Sequence, residues 1–181
     1  VASFGLVNGI ATVMVTGSHI PDDRNGIKYN RSDGEITKTD EAGIKAQEIS
    51  FDDGLFGDDG MLAEPFSLPA IDPAAGEMYV ARYVDFFGAD ALAGKAIGLY
   101  QHSSVGRELM YDILSGLGAD VTKLGFSDTF IPVDTEAIRP EDVELAKQWA
   151  SENEFDAIAS ADGDTDRPLL SDASGVWLRG D

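Results

Sequence analysis

Two short stretches of the chain concentrate side chains that could do chemistry. The first is Ala161-Asp162-Gly163-Asp164-Thr165-Asp166-Arg167-Pro168, in which three carboxylates alternate directly after an apolar run. Alternate residues of a turning loop can point toward one centre. Three carboxylates gathered there repel one another unless a divalent cation neutralises them, and hard oxygen ligands suit Mg²⁺. The second stretch is Thr16-Gly17-Ser18-His19-Ile20-Pro21, continued by Asp22-Asp23-Arg24-Asn25-Gly26-Ile27-Lys28. A serine flanked by glycine and histidine at the end of a strand is exposed and surrounded by hydrogen-bonding groups, which suits a nucleophile or a phosphate carrier. Each stretch also has a plainer reading, in which the acidic loop is a turn without a ligand, Ser18 a turn residue and Lys28 a solvated surface charge. His102, the only other histidine, reads as a structural or surface residue.

Of three better-known motifs, two fail on these residues and the third, the dehalogenase type, departs at one position and stands behind the other readings. An EF-hand needs glycine after its third acidic position and glutamate at its twelfth, where Arg167 and Ala173 stand. A dehalogenase-type phosphatase would use Asp162 as nucleophile and place threonine two residues beyond the second aspartate, where this chain has Asp166. A nucleophile elbow, Gly-x-Ser-x-Gly, would need glycine in place of Ile20.

The elements that must position these loops follow from the apolar pattern. Residues 12–16 (TVMVT) are short, β-branched and bounded by Gly17, which predicts a buried strand delivering the serine loop. Strand resumes at 27–30, with a turn at Ser32-Asp33-Gly34 and a short helix over 40–49. Residues 50–73, rich in Gly, Asp and Pro, predict an irregular surface connection. A helix follows, on which Met78, Tyr79, Tyr83, Phe86 and Phe87 form a stripe expected to pack into a core.

Beyond Gly88 strands and helices alternate. A strand at 96–100 precedes a helix whose apolar face is Val105, Leu109, Ile113 and Leu117, ending at Gly118. Residues 121–124 form the next strand. Pro140, with Glu141 and Asp142, opens a helix that turns Val143, Ala146 and Ala150 inward, and 155–159 is the third strand. That order predicts an α/β fold with a parallel sheet joined by crossover helices. The acidic loop then lies at the carboxyl end of a sheet strand, where such folds place their ligands.

Composition narrows the partners. The 33 acidic residues against 13 basic ones, a formal charge of −20, argue against nucleic acid and against an anionic membrane surface. The same field repels a phosphorylated small molecule, so a phosphate site needs local Lys, Arg or a cation to reverse it. With no cysteine, disulfides and thiolate sites are ruled out and a cytoplasmic location is favoured. Both ends of the chain read as cut, since it opens without Met on what reads as the end of a helix and stops in mid-pattern.

Taken together, Thr16-Gly17-Ser18-His19-x-Pro21 with Asn25-Gly26-x-Lys28, and Asp162-Gly-Asp164-x-Asp166-Arg167 about 140 residues later, resemble the serine loop and metal loop of the α-D-phosphohexomutases, the phosphoglucomutase and phosphomannomutase family. Ile20 departs from the Asn of many members. The resemblance implies a mutase that interconverts hexose 6-phosphates and hexose 1-phosphates through a hexose 1,6-bisphosphate. Ser18 would carry the phosphoryl group. Asp162, Asp164 and Asp166 would hold one Mg²⁺, with an oxygen on Ser18 completing its coordination. Lys28 would serve acid/base or phosphate contacts, and His19 and Arg167 would line the same site. It also implies a four-domain parent, of which residues 1–88 would be part of the first domain, 89–176 a second α/β domain and 177–181 the start of a third. Phosphorylated hexose and the parent's other domains would be the partners, and the chain alone would lack full turnover. A non-catalytic cation-binding α/β module is the alternative.

Overall fold

The computed structural model describes residues 1–17, 24–64 and 66–178. The chain divides into two compact units, one of residues 1–13 and 29–75, the other of residues 14–28 and 76–181. Among the described residues no helix is long and apolar enough to cross a membrane.

The first unit holds helix α1 (Ala2–Asn8), which ends at Gly9 in the left-handed region at φ 65°, and helix α2 (Lys38–Lys45). Strands β1 (Thr12–Thr16), β2 (Gly26–Arg31) and β3 (Gly34–Glu35) form a three-stranded sheet in that order, with residues of β1 and β2 in both units. The expected helix over 40–49 starts and ends earlier. Thr37 caps it, its hydroxyl accepting from the Asp40 amide while the Asp40 carboxylate accepts from the Thr37 amide, so Asp40 stands inside the first turn rather than at its start.

The second unit is built on a five-stranded sheet ordered β5-β4-β6-β7-β8, from β4 (Ala96–His102), β5 (Asp120–Phe126), β6 (Ala157–Ala161), β7 (Pro168–Ser171) and β8 (Trp177–Leu178). The first three pair in parallel; β7 and β8 extend the sheet antiparallel. Helices α4 (Arg107–Gly116) and α5 (Pro140–Glu152) connect the parallel strands. The alternating order read from the sequence is therefore present, as a mixed sheet. Strand β4 lies between two apolar clusters. Tyr100, Ala146, Phe155, Ile158, Leu169 and Trp177 form one, and Ile97, Leu99 and Ala159, packed against Met110, Leu114 and Val121, form the other. Burial on both faces is what a central parallel strand requires.

Four further expectations need correction. Strand β1 is not the buried strand expected: successive side chains point to opposite faces, and those of Val13 and Val15 stand 55% and 63% exposed. Val105 precedes α4 and is 79% exposed, because the helix begins only at Arg107. Strand β6 starts at Ala157, and Phe155 packs into the core from the segment before it. On helix α3 (Ala74–Phe87), Met78, Tyr79 and Tyr83 are half-buried but Phe86 and Phe87 are exposed, so the stripe drifts off the packed face over its last turn.

Gly98, in mid-β4, is required by close approach: a Cβ there would lie 2.7 Å from Leu124 Cδ1 and 2.9 Å from Phe155 Cε2. Gly98→Ala is expected to cost about 1–3 kcal/mol through overpacking, read as a lower urea midpoint; an unchanged midpoint would show that Phe155 can move aside freely.

Candidate functional site: an acidic loop at the sheet's switch point

Chain order places β5 on one side of β4 and β6 on the other. The connections thus leave in opposite directions at β4 and β6, and the crevice at the carboxyl ends of such a strand pair is the usual ligand position of an open α/β sheet. The acidic loop, 162–167, starts there. Its conformation is set largely by Asp162, which is fully buried. One carboxylate oxygen accepts from the backbone amides of Asp166 (3.1 Å) and Arg167 (3.2 Å), and the other accepts from Arg167 Nε (3.1 Å). The Asp162 amide donates to the Arg167 carbonyl at 3.1 Å, closing the loop at its base.

This folding brings the three carboxylates together: one oxygen from each of Asp162, Asp164 and Asp166 lies within 4.8 Å of the others. Asp166 is held above the ordinary carboxylate range, first by desolvation and then by repulsion from Asp162 and Asp164. Three hard oxygens at this spacing, in a loop whose charge is unfavourable as it stands, fit a divalent cation of the Mg²⁺ type. Arg167 bridges the loop to its surroundings, with Nη1 3.2 Å from Glu136 and 3.9 Å from Asp134, and Nε 3.9 Å from Asp166.

The second stretch reaches the same loop through its flanks. The Thr16 hydroxyl, at the end of β1, donates to Asp164 Oδ2. Lys28, in β2, stands 3.9 Å from Asp166 Oδ2. Ser18 and His19 lie outside the described residues. The structure therefore assembles Lys28, Asp162, Asp164, Asp166 and Arg167 and adds Thr16, Glu136 and Asp134. Thr16 opens the serine motif, but the sequence alone points to no role for it. Beside the loop an open cleft of about 350 Å³ is lined by Tyr79, Tyr83, Leu109, Met110, Thr165 and Asp166 among others, with no basic side chain among the described residues that line it.

Residues 2–50 match the family model of phosphoglucomutase/phosphomannomutase, alpha/beta/alpha domain I. Over 99% of its length the chain is 47% identical to a phosphomannomutase of Sinorhizobium fredii, and over 95% it is 45% identical to a phosphomannomutase of Salmonella muenchen. These residues belong to the phosphoglucomutase/phosphomannomutase family. A phosphoglucosamine mutase of Delftia acidovorans is 30% identical over 93% of the chain. The chain spans 37% of the Sinorhizobium protein and 34% of the Salmonella one. Among solved structures, a phosphoglucomutase/phosphomannomutase family protein of Burkholderia thailandensis aligns with 93% of the chain and 34% of its own at a TM-score of 0.60 and 20% identity. A Thermus thermophilus protein described as a phosphomannomutase aligns with 97% of this chain and 40% of its own at 0.63 and 16%. At those identities the two structures speak for the fold of the family.

Proposed function

We propose that this chain carries the phosphoryl-bearing half of a hexose-phosphate mutase site, in which Ser18 holds the phosphoryl group exchanged between hexose 6-phosphate and hexose 1-phosphate by way of a hexose 1,6-bisphosphate. The observation that carries this reading is that both flanks of the serine loop, Thr16 and Lys28, touch the acidic loop. Relatives named as phosphomannomutases and phosphoglucosamine mutases support the reaction class. Residues 1–88 and 89–176 as parts of two parent domains, a cytoplasmic location and the need for further domains in full turnover belong to the same proposal.

Phosphoryl transfer asks a protein mainly for positioning and charge stabilisation. Asp162, Asp164 and Asp166 would hold Mg²⁺, which supplies Lewis-acid neutralisation of the phosphoryl oxygens. In transfer to the sugar, the bond from Ser18 Oγ to phosphorus breaks as a sugar hydroxyl oxygen bonds to it; the hydroxyl proton leaves to a base, and Ser18 Oγ takes up a proton to become the free hydroxyl. Lys28, beside Asp166, brings positive charge to the phosphate, and once deprotonated it can take that proton. Arg167, anchored by Asp162 and Glu136, keeps its charge fixed at the loop base. His19 completes the set on its place next to Ser18 in the sequence.

The test is phosphorylation of the full chain by glucose 1,6-bisphosphate with Mg²⁺, followed by intact mass and tandem mapping. One added phosphoryl group on Ser18, absent in Ser18→Ala, is the expected result. Persistent lack of label in a chain that does bind the cation would favour the non-catalytic cation-binding module instead.

A further inference from the structure

Residues 102–106, the last residue of β4 and the turn from it into α4, carry a chemistry the mutase reading does not use. His102 is fully buried. Its Nε2 lies 2.9 Å from the Ala161 carbonyl, and since a carbonyl only accepts, the imidazole is the Nε2–H tautomer. Its ring packs on Tyr100 at 5.1 Å between centroids. Next along the turn, the Ser104 hydroxyl is 2.8 Å from the Thr165 hydroxyl, the Val105 amide donates to the Gly163 carbonyl at 3.0 Å, and the Gly106 amide donates to Thr165 Oγ1 at 3.0 Å. A Cβ on Gly106 would collide with the Thr165 side chain, so the turn lies flush against the loop.

These contacts have an order. The turn grips positions 161, 163 and 165, and the alternate positions 162, 164 and 166 are the three carboxylates. Thr165 is also held at φ 65°, a left-handed conformation that is strained for a β-branched residue and persists only where surrounding contacts impose it.

We propose that His102 and Ser104 are positioning residues for the acidic loop: by fixing its odd-numbered members they set the spacing at which Asp162, Asp164 and Asp166 meet a divalent cation. This inference rests on the cation reading of that loop. Residues that orient ligands without touching the metal commonly matter to affinity almost as much as the ligands do.

The experiment is a Mn²⁺ titration of the full chain, with free Mn²⁺ read by electron paramagnetic resonance, alongside the metal-free thermal midpoint. Ser104→Ala is expected to weaken Mn²⁺ binding by about 10-fold or more. The control is Ser171→Ala. Ser171 is equally buried and accepts from the Ile158 amide at 3.0 Å in the same sheet, so its loss should lower the midpoint while leaving Mn²⁺ affinity within about twofold, below the range of a lost ligand-orienting contact. As a second pair, His102→Gln keeps an N–H donor and should bind more tightly than His102→Leu. If Ser104→Ala binds like the wild type, or if all variants lose affinity in step with their midpoints, positioning is overturned and the turn is merely structural. If the wild-type chain takes up no Mn²⁺, the cation reading itself fails and this inference falls with it.

Discussion

Asp142→Ala is expected to destabilise the second unit by about 3 kcal/mol, the lower part of the range for breaking a buried ion pair. Asp142 is fully buried in the first turn of α5, where helix polarity alone would favour an acid but would not require burial. It accepts from Arg139 Nε at 2.8 Å and Nη2 at 2.7 Å, a bidentate pair, and from the Tyr100 hydroxyl at 3.0 Å. Its own carbonyl accepts from Trp177 Nε1 at 3.0 Å. The residue thus ties together α5, the segment before it, the central strand β4 and the late strand β8. Truncation leaves Tyr100 buried without its acceptor and Arg139 without its counter-charge. Burial, followed by the charge of Asp142, pushes the Tyr100 hydroxyl well up, so it stays protonated and continues to need an acceptor. The Arg139 side chain keeps 31% exposure, and water therefore softens its loss. Urea unfolding monitored by tryptophan fluorescence measures the effect. A loss below about 1 kcal/mol, the value of an ordinary hydrogen bond, would show that water replaces the carboxylate and that the network is not a stabilising hub.

That hub also marks where the sequence stops being informative. Asp142 could be read as a favourable acid near a helix start, but its burial follows from Tyr100 and Trp177, 42 and 35 residues away, and no local pattern announces them. Strand β1 is legible to its exact ends because a β-branched run stops at a glycine, and the start of α5 because proline opens it and acids fill its first turn. Strands β7 and β8 leave no sequence signal: four and two residues long, they are too short to show a period. The alternation of the acidic loop was visible because carboxylates repel whatever their surroundings. Thr16 and residues 102–106 were not assigned to it, since hydrogen bonds spanning 148, 61 and 59 residues leave no spacing signal. From the sequence His102 reads only as a structural or surface residue, and only the topology, with β4 beside β6, brings it under Ala161.

Asp166→Asn should have opposite consequences with and without a divalent cation. In the metal-free chain Asp166 is desolvated and repelled by Asp162 and Asp164, while Lys28 and Arg167, each 3.9 Å away, offset this only in part. Its ionised form therefore costs the fold at neutral pH, and the asparagine variant should be as stable as the wild type or slightly more so. The gain is small because 45% of the Asp166 side chain remains in water. With Mg²⁺ at about 100 times its dissociation constant, the wild type should gain about 2.7 kcal/mol from binding the folded state alone. The variant should lose most of that increment, since removing one of three anionic ligands weakens the site by more than the roughly 10-fold that a supporting contact costs. Thermal unfolding of both proteins in EDTA and in Mg²⁺ separates the cases. A variant that keeps the full Mg²⁺-induced shift would place the cation elsewhere and leave residues 162–167 an acidic turn. If the curves cross, with the variant ahead in EDTA and behind in Mg²⁺, then the repulsion among these carboxylates is what the chain tolerates in order to hold a cation beside Lys28 and Thr16.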